Sequence, residues 1–167
     1  MVTGNERLIG FLSGEIPDGE GRLLSEILAW PDGRLEQVHD FIQWLFPLAE
    51  PSPVNPEAPV LDARIIAAIR ARPDLQAAVR ESYRRMRRFY ETSPHWITPG
   101  NHNHLRVTRI LKCLCLVGLD AEAAEFFEWL SGVYSTERRK PVPGITARSF
   151  EFWKQAMASC GDASRRP

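Results

Sequence analysis

Asn101-His102-Asn103-His104 sets two imidazoles two residues apart. At that spacing a His pair can hold a metal ion, and a single His can act as a general base. Neither chemistry finds a carboxylate partner close in sequence, and Asn is a favoured residue at a helix start, so capping is the stronger expectation. His39 and Gln43 lie one helical turn apart, beside Asp40 and Trp44, as a polar pair that can face a groove or bond a neighbouring loop. Arg106, Arg109 and Lys112 recur every three residues, and Arg80, Arg84 and Arg87, with Arg85 and Arg88, form two further rows. Such rows suit phosphate, an acidic peptide or nucleic acid. Glu81 stands four residues before Arg85, and Glu36, Asp40, Glu50 and Glu57 are further partners, so structural ion pairs are favoured.

The three cysteines, Cys113, Cys115 and Cys160, have no second Cys/His pair at zinc spacing. The expectation is buried free thiols in a reducing compartment. No phosphate loop, nucleophile elbow or helical zinc-protease motif is present, and neither a cofactor nor a metal is expected.

The 21 basic residues match 21 acidic ones, so the net charge of zero singles out neither nucleic acid nor an acidic membrane. The longest apolar run, Ile110 to Leu119, holds Lys112 and is about half the roughly 20 residues a bilayer crossing needs. With no secretory pattern at the start, the expected location is cytoplasmic. A length of 167 residues with 44% hydrophobic residues suits one globular domain. The expected domain is residues 1–160, with 161–167 as a frayed tail.

Strand signals are poor and helical periodicity recurs along the chain. Helices are expected at about 6–12 and 23–30, with Pro31-Asp32-Gly33 as a turn. A third helix, about 35–46, lines up Leu35, Val38, Ile42 and Leu45, and Pro47 closes it. Pro47 to Pro59 holds five prolines in thirteen residues and reads as an extended strap packed on the helices. Asp62 caps a helix to about 71, and Pro73 opens another to about 92. A helix from about 102 to 117 is apolar nearly all round beyond Ile110, so others must surround it, and Gly118 ends it. Asp120 caps a helix with Phe126, Phe127 and Leu130 on its apolar face, and Thr146 to Ser159 forms the last. The sum is an all-α irregular bundle of seven to eight helices around a central buried helix, with a Pro-rich strap.

Two segments resemble a known family. Leu35-Glu36 to His39, Ile42-Gln43-Trp44-Leu45-Phe46-Pro47, Glu50-Pro51, Asn55-Pro56 and Ala58-Pro59 resemble the signature of the opioid growth factor receptor conserved domain. Leu105 to Lys112, preceded by Asn101 to His104, resembles that family's second conserved block, and Tyr83 with Phe89-Tyr90 also fits. The resemblance covers about 31–130 and implies a single-domain member without the family's repeat tail. It further implies a receptor-like domain for an enkephalin-type peptide, sited at the nuclear envelope in animal members.

The combined reading is a non-enzymatic domain that binds a peptide or protein ligand, with nucleic acid disfavoured and no feature that sets an oligomeric state. Its expected groove gathers His39, Gln43, Trp44, His104, Arg106 and Arg109. In the same picture Trp44 and Phe46 anchor the strap, and Arg106 and Arg109 bond its carbonyls. The alternatives are an acid–base enzyme using His39 or His102/His104, and nucleic-acid binding through the arginine rows.

Overall fold

The computed structural model describes residues 4–161; the expected tail beyond Gly161 lies outside them. Every regular element among the described residues is a helix, with only two isolated β-bridges, so the all-α class holds. The helices are α1 (Gly4–Leu12), α2 (Leu24–Leu28), α3 (Asp32–Gln37), α4 (Ile42–Leu45), α5 (Ala63–Ala71), α6 (Pro73–Thr92), α7 (Asn103–Leu116), α8 (Asp120–Glu137) and α9 (Ala147–Met157), with a 3₁₀ turn at Pro94–Trp96. The chain divides inside α6, between Met86 and Arg87, into two compact units.

In the first unit α1 packs on α4 and α5. The single helix expected over 35–46 is two short ones, because Val38 leaves the helix with φ −90° and ψ 133°. The reason lies in the sequence that follows. Phe41 through Leu48 are all buried, and one straight amphipathic helix hides a stripe, not eight successive residues. The break lets Phe41 meet Trp30 edge-on at 5.6 Å. The Pro31-Asp32-Gly33 turn is absorbed into the start of α3.

The strap is held at its ends. Leu48 and Val60 form a parallel bridge, and the Leu61 N–H donates to the Leu48 carbonyl at 2.8 Å. Ser52 is buried between the exposed Pro51 and Pro53, and Ala58 is buried after the exposed Glu57. Asp62 caps α5 as expected, its carboxylate accepting the Ile65 N–H at 2.9 Å.

In the second unit α7 packs against both α8 and α9, and these pack on each other. Ile110, Leu111, Cys113, Leu114, Cys115 and Val117 are buried, as an all-round apolar helix requires. Gly118 leaves it at φ 81°, a conformation glycine adopts without steric cost. Thr146 caps α9 by accepting the Ser149 N–H. Gly144 lies so close to Ile97 that a Cβ there would come within 2.3 Å of the Ile97 carbonyl oxygen.

Two expectations are corrected here. Cys115 and Cys160 are joined by a disulfide with Cα atoms 4.5 Å apart, so only Cys113 is a free thiol. The spacing of 45 residues hid the pair, because contact between the end of α7 and the residues after α9 is a tertiary fact. Asp120 is also the first residue of α8, with Leu119 at the cap position.

Candidate binding cleft

Asp18 organises one side of a cleft in the first unit. It is fully buried, and its carboxylate accepts the backbone N–H groups of Glu20 and Arg22 at 2.9 Å each. Its second oxygen takes the Arg22 guanidinium at 2.8 Å, and Arg22 reaches on to Asp40 at 2.8 Å. Burial pulls the Arg22 pKa down, but its bonds to Asp18 and Asp40 prevail, and it lies above the ordinary arginine value. This clasp fixes the loop between α1 and α2 beside Asp40.

Trp44 forms the wall. It is 5% exposed, and Phe11 meets its ring edge-on at 5.3 Å. The Arg7 guanidinium lies 5.6 Å from the ring and also donates to the Asp18 carbonyl at 3.1 Å. Gly19 comes so near that a Cβ there would be 3.9 Å from the indole Nε1. The strap supplies the rest: Asn55 donates its amide N–H to the Asp40 carbonyl at 3.4 Å, and Val54 and Glu57 stand beside it. The enclosed volume is about 330 Å³, lined by Arg7, Gly19, Glu20, Asp40, Trp44, Val54, Asn55 and Glu57.

The electrostatics of the cleft are lopsided. Asp40 is paired with Arg22, whereas Glu20 and Glu57 have exposed carboxylates and no ion pair among the described residues. The Trp44 indole N–H donates to no described residue. That is a donor without an acceptor at the wall of a small polar cavity.

Of the six residues expected at a groove, Trp44 lines this cleft. His39 is exposed next to Asp40, and Gln43 is 4% exposed with its Oε1 buried and without a hydrogen-bond partner among the described residues. The other lining residues were not singled out as a site. Glu20 and Gly19 sit in a turn-rich loop, and Asn55 and Glu57 in the strap; loop positions give no periodic signal that points to a cavity.

His104, Arg106 and Arg109 belong to α7 in the second unit. The His104 ring lies between Trp96 and Trp153, edge-on to each at about 6 Å. Its Nε2 lies 3.1 Å from the Trp96 carbonyl, which only accepts, so Nε2 carries the proton. Nδ1 then accepts from the Ser149 hydroxyl at 3.1 Å. Trp153 donates its indole N–H to the His104 carbonyl at 3.1 Å. Burial depresses the His104 pKa, and the Trp96 carbonyl opposes this less strongly. Both ring nitrogens thus hold the unit together. Asn101 makes the local hydrogen bond expected at the helix start, its Oδ1 accepting the Asn103 N–H at 2.9 Å, while His102 stands at the cap position of α7. Arg106 is buried and donates to Asn103 Oδ1 at 3.3 Å, while Arg109 is half-buried one turn before Cys113. No group of three or more His, Cys, Asp or Glu poised for a metal occurs among the described residues.

The arginine rows of α6 are largely engaged. In the first unit Arg84 pairs with Glu81, and Arg85 is buried against Asp32. In the second, Arg87 pairs with Glu91 and stacks 3.8 Å from the Trp129 ring centre. No described helix is long and apolar enough to cross a membrane.

A family model described as the opioid growth factor receptor conserved region matches residues 22–94. The chain is 33% identical to the opioid growth factor receptor of Rattus norvegicus over 158 aligned residues, covering 82% of this chain and 27% of that protein. Against the Homo sapiens receptor the identity is 29%, covering 82% and 23%. The chain thus spans about a quarter of the length of the curated relatives it matches. No solved structure matches it significantly. Asp40, Trp44, Val54, Asn55 and Glu57 lie inside the matched span; Arg7, Gly19 and Glu20 precede it.

Proposed function

We propose that this chain, which carries the opioid growth factor receptor conserved region, is a non-enzymatic peptide-binding module whose site is the cleft at Trp44. One observation carries the reading: the indole N–H of the largely buried Trp44, without an acceptor among the described residues, lines a polar cavity of about 330 Å³. Cavities of ~300 Å³ and upward with a few convergent polar groups are where ligands bind. The relatives are named as receptors for an opioid growth factor, so an enkephalin-type peptide is the first ligand to try. Gln43 directly precedes Trp44 and His39 directly precedes Asp40, so both belong to the proposed site as its neighbours in sequence. His104, Arg106 and Arg109, also expected at the groove, belong to α7 in the second unit and do not line this cleft.

An acid–base enzyme is the weaker reading, because the His104 ring has both nitrogens taken up by Trp96 and Ser149. The module is assigned to the cytoplasm. There the Cys115–Cys160 bond meets thiol reductants, and finding it fully formed in protein taken directly from cells would contradict that location.

The test is a chemical-shift titration of the labelled chain with an enkephalin-type peptide, with Trp44→Phe identifying the Trp44 indole resonance. Saturable shifts at Trp44 and at the Asn55 side-chain amide are expected. Saturating peptide with neither resonance moved would overturn the assignment.

A further inference from the structure

The inference rests on the peptide-binding reading of the cleft and specifies what part of a peptide enters it. We propose that the cleft receives a free amino terminus, the α-ammonium facing Glu20 and Glu57 and the first carbonyl accepting from the Trp44 indole.

The groups left unmatched in the cleft define what fits. Glu20 and Glu57 are carboxylates, which accept hydrogen bonds and carry negative charge. They come from different segments, the α1–α2 loop and the strap, and neither has an ion pair among the described residues. Arg7, the cation of the lining, donates to the Asp18 carbonyl and lies against the Trp44 ring; its single charge offsets one of the two carboxylates and leaves the lining net negative. Asp40 is occupied by Arg22. The cavity therefore asks for a cation rich in N–H donors.

Trp44 asks for the opposite. Its indole is donor-only, so its partner must be an acceptor. Asn55 spends its amide N–H on the Asp40 carbonyl, which leaves its own Oδ1 to accept. A ligand must then bring a compact cation and, a few bonds away, a carbonyl oxygen.

A peptide amino terminus has that pairing built in: the α-ammonium and the first carbonyl share one Cα. A lysine side chain holds its ammonium four methylenes from the backbone. A carboxyl terminus would set like charges against Glu20 and Glu57, which is costly across an interface. The volume suits a chain end rather than a long segment.

The experiment titrates the full chain with three probes, Ala-Ala-Ala-NH₂, its N-acetylated form and Nα-acetyl-lysine amide, following the Trp44 indole N–H. The free tripeptide should bind about tenfold more tightly than the acetylated one, the range expected when a charge-assisted hydrogen bond is lost. In the Glu20→Gln/Glu57→Gln double variant that preference should shrink to about twofold. These side chains make no described ion pair, so the fold is expected to survive both changes. Equal binding of the acetylated tripeptide, a lysine derivative matching the free one, or an unchanged preference in the variant would each sink the proposal. If neither tripeptide moves Trp44 while the enkephalin-type peptide does, the amino-terminus inference falls and the peptide reading stands. If no probe and no peptide moves it, both fall.

Discussion

Arg85 donates from a single nitrogen, Nη2, to the carbonyl of Trp30 and to the carboxylate of Asp32, each at 2.7 Å. The side chain is almost fully buried, and it ties α6 to the start of α3 across more than fifty residues of sequence. Its neighbour Arg84 is exposed and pairs with Glu81, one turn away.

The two arginines should therefore differ sharply on substitution. Arg85→Met removes the Nη2 donor that the Trp30 carbonyl and the Asp32 carboxylate share, and a loss of about 2–3 kcal/mol is expected. Arg84→Met should cost less than about 0.5 kcal/mol, as exposed pairs do. Urea unfolding of both variants checks this. Equal midpoints would mean that Arg85 is not a structural tie.

Thiol counting tests the disulfide. Cys113 is fully buried, and burial pushes its thiol up to about 12, against a small opposing pull from Arg109. The native chain should show no reactive thiol, the unfolded unreduced chain one, and the unfolded reduced chain three. Reduction should also lower stability by about 4 kcal/mol, the loop-entropy figure for a closed loop of this size. Three thiols without reductant would remove the Cys115–Cys160 bond.

His104 predicts a loss of stability on mild acidification. Its folded pKa is depressed by burial, so the unfolded chain takes up the proton first. Its stabilisation is complete above the unfolded value of about 6.5 and declines as the pH falls from there toward the folded value. The melting temperature should drop between about pH 7 and pH 5.5, and His104→Gln, which does not titrate, should flatten that drop. A variant whose melting point falls just as steeply would acquit His104.

Glu137 acts at lower pH. It is 5% exposed, and Lys140 at 2.5 Å and the Gly144 N–H at 3.2 Å hold its carboxylate below the usual range. The contribution is present above the unfolded value of about 4.3 and lost as the pH falls through the folded one. Glu137→Gln should destabilise by about 1 kcal/mol at pH 7 and converge with the parent in acid. A constant gap across the pH range would show that packing, not charge, sets the effect.

Most helices were legible because their signals are local. Pro73 opens α6, Asp62 caps α5 and Gly118 ends α7, each by its own backbone preference. The break at Val38 was not legible, since Leu35, Val38, Ile42 and Leu45 do keep a helical stripe; burial of Phe41, Trp44 and Phe46 beside them overrides it. Arg85 looked like one more member of a solvated row, because its partner Asp32 is far away in sequence. The cleft was legible only at Trp44. Glu20, Asn55 and Glu57 reach it from loops, whose paths are set by ties such as Asp18–Arg22–Asp40 and not by periodicity.

The Leu48–Val60 bridge closes the strap at its base, while Val54 at its tip is 83% exposed. Lengthening a closed loop costs little, about 0.6 kcal/mol per doubling. Residues near Val54 can thus be exchanged for a fluorophore or a short tag without unseating the helices below. Because Val54 itself lines the cavity beside Asn55 and Glu57, such a label would sit at the cavity rim and report when something enters.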